Sequence, residues 1–406
     1  MIESFFQNPD NKLETIRLYA PKEAKIFFHR KAYDLLNSCW IQESIEDFNE
    51  EIKSINLKSD SKTVIHFFYE YGNILLDIER ESISEDEMLA VFIKYGSDEK
   101  VSLKPKAIDH QGVMQLIEAP DFNHYKEAFD IGTNHLYNGD CYQFNLTFPF
   151  TFELNHFSAI DLYATMIEGT DKLGEYAMLT NLNEFGSLLS NSPECLFKLE
   201  DNKLVTMPIK GTRSIKDFES SDLAWEDLLH SEKDQAELYM ITDLLRNDLN
   251  RISPYANVEF KKVRLDVNEL VHQYSKISLE LKKLDLSLYD IMSSLFPGGS
   301  ITGAPKKRVM KILNSIEHSS RQFYCGSTFL NYGGVRSASI NIRSAMIDVT
   351  AKKLTYHAGG GITVKSSVEG EYGEMLSKVQ SFTGLFNPES RPPLNKKTNN
   401  ISALSI

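Results

Sequence analysis

A carboxylate and a lysine lie in two apolar, strand-like stretches, Ser190-Asn-Ser-Pro-Glu194-Cys-Leu-Phe and Met207-Pro-Ile-Lys210-Gly-Thr212-Arg. Burying either charge is costly unless it is paired or its proton is moved to match. Burial favours a carboxyl in its acid form and a lysine as the free amine, the forms wanted in a general acid and an amine nucleophile. A surface ion pair accounts for these two residues alone equally well.

Further carboxylates recur at helical spacing. In Lys233-Asp-Gln-Ala-Glu237-Leu-Tyr-Met-Ile241-Thr-Asp-Leu244, the spacing puts Glu237 on one stripe with Ile241 and Leu244. Near the C-terminus, Glu371, Glu374, Met375, Lys378 and Phe382 share a helix face in the same way. A solvent pair of Glu374 with Lys378 explains part of that pattern. Three carboxylates from two distant helices could also hold Mg²⁺, a hard cation that takes a few carboxylates and keeps waters.

These residues need a scaffold, and its outline is readable. Gly139-Asp-Cys-Tyr-Gln143-Phe-Asn-Leu-Thr-Phe alternates, with Tyr142, Phe144, Leu146 and Phe148 on one face and Cys141, Gln143, Asn145 and Thr147 on the other. A strand with one polar face follows, and solvent is the plain destination for that face. Phe296-Pro-Gly-Gly-Ser-Ile-Thr-Gly-Ala-Pro-Lys306 has two glycines at phosphate-loop spacing, but Ala304-Pro305 stands where Gly-Lys is required. Pro305 instead suits the start of a helix from Lys306 to Ile316. His357-Ala-Gly359-Gly360-Gly361 lets backbone approach a ligand and offer amides to an anion.

Residues 1 to about 110 read as alternating strands and helices without a catalytic motif, and include strand-like Thr63-Val-Ile-His-Phe and Ala90-Val-Phe-Ile. A helix from Pro120 to Tyr137 opens the motif-bearing region, 120–385. Residues 386–406, with Arg391-Pro-Pro and Lys396-Lys-Thr-Asn-Asn, read as a disordered tail. A formal net charge of −13 argues against nucleic acid or an anionic membrane as partner. With no secretory-type start and no long apolar run, the cytoplasm is the expected compartment. The four cysteines, Cys39, Cys141, Cys195 and Cys325, are too widely spaced for a metal clip or a disulfide framework, and none sits in a nucleophile turn.

In order, the motifs from Gly139 to Lys378 resemble those of the chorismate-utilising enzymes, the family of anthranilate, aminodeoxychorismate, isochorismate and salicylate synthases. The resemblance implies a single large α/β (α+β) fold of two stacked antiparallel β-sheets flanked by helices, with the active site between them. It makes Glu237 and Glu374 ligands of Mg²⁺, with Glu371 close by, and Glu194 the acid that protonates the leaving C4 hydroxyl of chorismate. Tyr324, Arg343 and the Gly360 and Gly361 amides match positions that bind the enolpyruvyl carboxylate. Lys378 matches a residue near the metal-bound carboxylate, and Gln143 and Thr212 fall at substrate-facing positions.

Two positions divide the family. Where the isochorismate and salicylate synthases carry a water-activating lysine, this chain has Gln143, and an amide cannot act as that base. Where the anthranilate synthases resemble Pro-Ile-Ala-Gly-Thr, this chain has Lys210, the form of the aminodeoxychorismate synthases on the route to p-aminobenzoate and folate. Resemblance to that branch implies chorismate as substrate and ammonia delivered by a separate glutaminase subunit. Leu238 replaces a histidine usual in anthranilate synthases, in agreement, whereas Lys365 and Asn250 depart from common family residues. The alternatives are anthranilate synthase component I, an aminodeoxyisochorismate synthase or, from another class, a non-catalytic glutaminase-binding module.

Overall fold

The computed structural model describes residues 1–9, 11–78, 84–104, 114–155, 158–168, 173–267, 270–281 and 286–386. The expected tail, from residue 387 on, lies outside them. Among the described residues every strand pairing is antiparallel, and the pairings run outward from the N-terminal strand Ile2–Asn8 in two arms. One arm passes through Tyr176–Leu182, Ser187–Ser192, Ser344–Asp348 and Lys353–Ile362 to Gln143–Leu154. The other passes through Asn11–Phe27, Ala90–Val101, Thr63–Phe67, Ser327–Tyr332, Val335–Ile340, Cys195–Glu200 and Lys203–Thr206 to Leu270–Glu280. The strands Ile209–Ser214 and Asn257–Val267 both pair with Leu270–Glu280. The N-terminal hundred residues are therefore interleaved with the motif-bearing strands.

Both faces of the arms are buried, and the period of two shows it. Met178 and Leu188 point into a cluster shared with Val64, Val91 and Phe323, whereas their neighbours Leu179 and Leu189 point into a second cluster with Phe129, Val309 and Phe382. Likewise Val64 and Val91 face the shared cluster while Ile65 and Phe92 face a third, with Phe48, Leu245 and Met292. The shared cluster draws on both arms, and helices cover the outer face of each. This is the α/β layering with antiparallel sheets that the sequence led us to expect.

Three helices carry or support the site. Phe122–Tyr137 starts where Asp121 accepts a 2.8 Å hydrogen bond from the His124 amide. Glu232–Ile252 is capped by Ser231 and Val368–Thr383 by Ser367, each accepting from an amide 3.3 Å away. On the first of these two, Leu238, Ile241, Thr242, Leu245 and Leu249 are buried, so the apolar stripe runs through Leu238 and leaves Glu237 half-buried at its margin, not on the stripe. Lys306–Ile316 forms as expected, with Pro305 just outside it as the extended cap residue. No helix among the described residues is long and apolar enough to cross a membrane.

Candidate active site

Glu194 sits in the two-residue gap between the strands Ser187–Ser192 and Cys195–Glu200. Its amide donates to Ser192 Oγ at 3.1 Å and its carbonyl accepts from the Ile340 amide at 2.9 Å. The backbone is thus held on both sides. Ser300 Oγ donates to Glu194 Oε1 at 2.6 Å. Burial raises the Glu194 pKa above the usual carboxylate value, against the pull of Ser300 and of the charges on Lys210 and Arg343. That is the direction burial is expected to give. Nothing in the sequence marks Ser300 as a partner of Glu194, which lies 106 residues away.

Lys210 lies in Ile209–Ser214 opposite Gln273, at a bulge formed by Gly211, whose φ is +78°. A Cβ at Gly211 would stand 2.6 Å from Leu228 and 3.1 Å from Asp234, so only glycine lets the strand lie this close to its two helices. The Lys210 charge acts on both Glu194 and Glu374. Thr212 Oγ1 is 2.9 Å from His272 Nδ1, and burial lowers the pKa of His272, as does the Arg343 charge. Arg343 itself is exposed in a left-handed turn at φ +52°, fixed by a 3.0 Å hydrogen bond from the Asn191 amide to its carbonyl.

The polar face of Gln143–Leu154 does not meet solvent. Gln143, Asn145 and Thr147 are all at least nine-tenths buried, whereas Tyr142, expected on the apolar face, precedes the strand and is exposed. Thr147 Oγ1 donates to Glu317 at 3.0 Å, and the partner strand Lys353–Ile362 brings Gly359, Gly360 and Gly361 opposite Thr147, Leu146 and Asn145. A Cβ at Gly361 would stand 2.3 Å from Gln143 Nε2, and one at Gly359 would stand 2.0 Å from the Leu146 carbonyl oxygen. Gly361→Ala is therefore expected to fold and only displace the Gln143 amide. Gly359→Ala collides with backbone and is expected to lose about 1–3 kcal/mol of stability. Thermal unfolding separates the two; equal stabilities would refute the distinction.

Gly360 forms the floor of the acidic cluster. Its Cβ position is 3.1 Å from Glu371 Oε2, 3.8 Å from Lys378 Nζ and 3.9 Å from Glu374 Oε1. Lys378 is fixed by 2.8 Å to the Gly359 carbonyl and 2.7 Å to Glu374. Glu371 accepts from Ser366 Oγ at 2.7 Å, and burial, reinforced by the Glu374 charge, raises its pKa. Burial acts to raise Glu374 too, but Lys378, with help from Lys233 and Lys210, outweighs it and holds that carboxyl below its ordinary value. Glu237 is 4.0 Å from the Lys233 ammonium. The all-oxygen donors suit Mg²⁺ in kind. Among the described residues, however, no three acidic, histidine or cysteine side chains converge into a ready metal shell.

Tyr324 is buried and stacks on His357 with ring centroids 5.6 Å apart and planes 11° from parallel. Burial lifts its hydroxyl well above the ordinary tyrosine pKa, so it is a donor at neutral pH. His357 begins the same run of strand that carries the three glycines.

A buried acid, a lysine whose charge acts on it, an exposed arginine at a fixed turn and an acidic cluster over a glycine floor are the charged groups of the candidate site. The sequence profile of the chorismate binding enzymes matches residues 9–384, and the chain belongs to that family. It is 34% identical over 261 residues to aminodeoxychorismate synthase component 1 of Salmonella typhimurium, an alignment covering 63% of this chain and 56% of that protein. It is 36% identical over 198 residues to anthranilate synthase component 1 of Saccharolobus solfataricus, covering 48% of this chain and 46% of that one. Among solved structures, anthranilate synthase component I from Streptococcus pneumoniae superposes with a TM-score of 0.75 at 20% identity, covering 93% of each chain. That likeness establishes the fold.

Proposed function

We propose that this chain is the chorismate-aminating component of an aminodeoxychorismate synthase. The observation that carries the reading is Lys210, whose charge acts on the buried acid Glu194 and on the acidic cluster at Glu374. Glu194, whose carboxyl burial shifts toward the acid form and which Ser300 orients, gives its proton to the C4 hydroxyl as water departs. Lys210 adds through its side-chain nitrogen at C2, and ammonia entering at C4 then expels the lysine, closing the cycle with 4-amino-4-deoxychorismate. Gln143, a buried amide, has no base strength to activate water in ammonia's place. Arg343 and Tyr324 are the donors for the enolpyruvyl carboxylate.

The carboxylates Glu237, Glu371 and Glu374 would hold Mg²⁺, which when bound neutralises the ring carboxylate of the substrate. Ammonia has to be supplied from elsewhere. Burial raises the thiol of Cys141 and pushes those of Cys195 and Cys325 up to about 12, so none is a thiolate at neutral pH, and exposed Cys39 lacks a nucleophile turn. A separate glutaminase fits this reading. The runner-up is anthranilate synthesis, favoured by the 36% identity over 198 residues to an anthranilate synthase component 1.

Product analysis by mass after incubation with chorismate, Mg²⁺ and ammonium salt tests both. Wild type is expected to give aminodeoxychorismate, and Lys210→Ala to lose it and divert ammonia to C2. Anthranilate from the wild type, or an unchanged product and rate in the variant, would defeat the proposal. Glutamine is expected to serve only when a glutaminase is added.

A further inference from the structure

Lys306 ends the Gly-rich segment that fails as a phosphate loop, and its side chain turns inward instead. Its ammonium reaches back across the segment to the last carbonyls of the helix Leu288–Leu295, Leu295 at 2.9 Å and Ser294 at 3.4 Å. A helix end leaves such carbonyls without an internal partner, and a cation suits them. The counter-charge is Asp248 Oδ2 at 2.8 Å, on the helix Glu232–Ile252, and both side chains are buried. Ser294 Oγ donates in turn to the Asp248 carbonyl. The two ends of the segment and a second helix are thus tied at one point.

Ser300 stands midway along the closed segment, and its hydroxyl is the 2.6 Å donor to Glu194. The far half is fixed by Arg321, which donates to the Ile301 carbonyl at 2.8 Å, and by the pairing of Gly303 and Ala304 with Phe144 and Gln143. The near half enters from the carbonyls that Lys306 holds. A Cβ at Gly299 would stand 2.0 Å from Leu244, which lies one turn before Asp248 on the same helix. The ion pair that draws Asp248 in therefore also seats Leu244 on the residue next to Ser300.

We propose that Lys306 is a positioning residue for the general acid, holding the segment 296–305 in the register at which Ser300 meets Glu194. This rests on the reading of Glu194 as the acid of chorismate amination. The charged and titratable groups coupled to Glu194 are Lys210, Arg343 and Cys325, and none belongs to the segment, so Lys306 acts through Ser300. A hydroxyl that donates to a carboxylate favours its charged form, so loss of the Ser300 contact raises the Glu194 pKa further.

Infrared titration of the Glu194 carboxyl in the full chain, taken as the difference from Glu194→Gln, tests this beside the pH dependence of kcat. Lys306→Met alone strands a buried carboxylate, so it is combined with Asp248→Asn, which removes both charges of the pair. Ser300→Ala is expected to move the carboxyl midpoint up by about one pH unit. The Lys306→Met, Asp248→Asn pair is expected to move it the same way, with kcat about tenfold lower and KM for chorismate unchanged. Adding Ser300→Ala to that pair should move the midpoint no further. An unmoved midpoint in the paired variant or in Ser300→Ala, or shifts that add, would overturn the positioning role. Shifted midpoints with the pH limb of kcat left in place would uphold the tether and remove Glu194 as the acid instead.

Discussion

Glu194→Gln is expected to keep chorismate binding and lower kcat by about a thousandfold, within the range that a positioned general acid supplies. The substitution keeps the shape of the side chain, and the amide oxygen still accepts the hydrogen bond that Ser300 gives to Oε1. The backbone contacts to Ser192 and Ile340 do not involve the side chain and stay. What disappears is the proton. Burial raises the wild-type carboxyl, so its acid form persists to higher pH than an exposed glutamate would allow. The sign of the pH dependence follows: kcat of wild type is full below the folded pKa of Glu194 and falls as pH rises through it. The glutamine variant loses that limb. Steady-state rates across pH, beside a chorismate titration, check both parts. Weakened binding with turnover intact at saturation would recast Glu194 as a structural residue.

The residues of this chemistry were legible because their types conflict with their surroundings. Glu194 and Lys210 stand out as charges within apolar strands, and Glu371 and Glu374 as acids on a face shared with Met375 and Phe382. Family resemblance then supplied their grouping. The partners that tune them were not legible, because they arrive from far along the chain. Ser300 is 106 residues from Glu194, and nothing local to a serine in a Gly-rich loop marks it as the neighbour of an acid. The alternation in Gln143–Leu154 marks a polar face, but its partners come from far along the chain: Thr147 meets Glu317, 170 residues on. Helical spacing sets Glu237 on the stripe with Ile241 and Leu244, whereas the structure has it at the margin, because spacing alone does not tell the centre of a buried face from its edge.

Arg321→Met is expected to cost about 3–5 kcal/mol of stability, the usual consequence of leaving the partner of a buried ion pair alone. Arg321 is 1% exposed, and its sequence context, Ser-Ser-Arg-Gln-Phe-Tyr324, gives no sign of that. Its guanidinium donates to both Glu317 oxygens at 2.7 and 2.8 Å, to the Ile301 carbonyl at 2.8 Å and to the Asn145 carbonyl, and lies over the Tyr69 ring at 4.4 Å. Glu317 also accepts from the amide and hydroxyl of Thr147 at 2.9 and 3.0 Å. One side chain therefore ties together the segments that carry Gln143, Ser300 and Tyr324. Methionine fills much of the volume but leaves a buried carboxylate and two carbonyls without their donor. Adding Glu317→Met should restore part of the loss by removing the charge that has lost its guanidinium, and only part, since the carbonyls lack that donor and the Thr147 amide and hydroxyl lose their acceptor. Substrate binding should fall along with stability in both variants, because the clamp positions the site as well as the fold. The midpoint of urea unfolding and a chorismate titration measure the two effects. An unfolding curve for Arg321→Met that overlays the wild type would show that the buried cluster contributes nothing to holding these segments together.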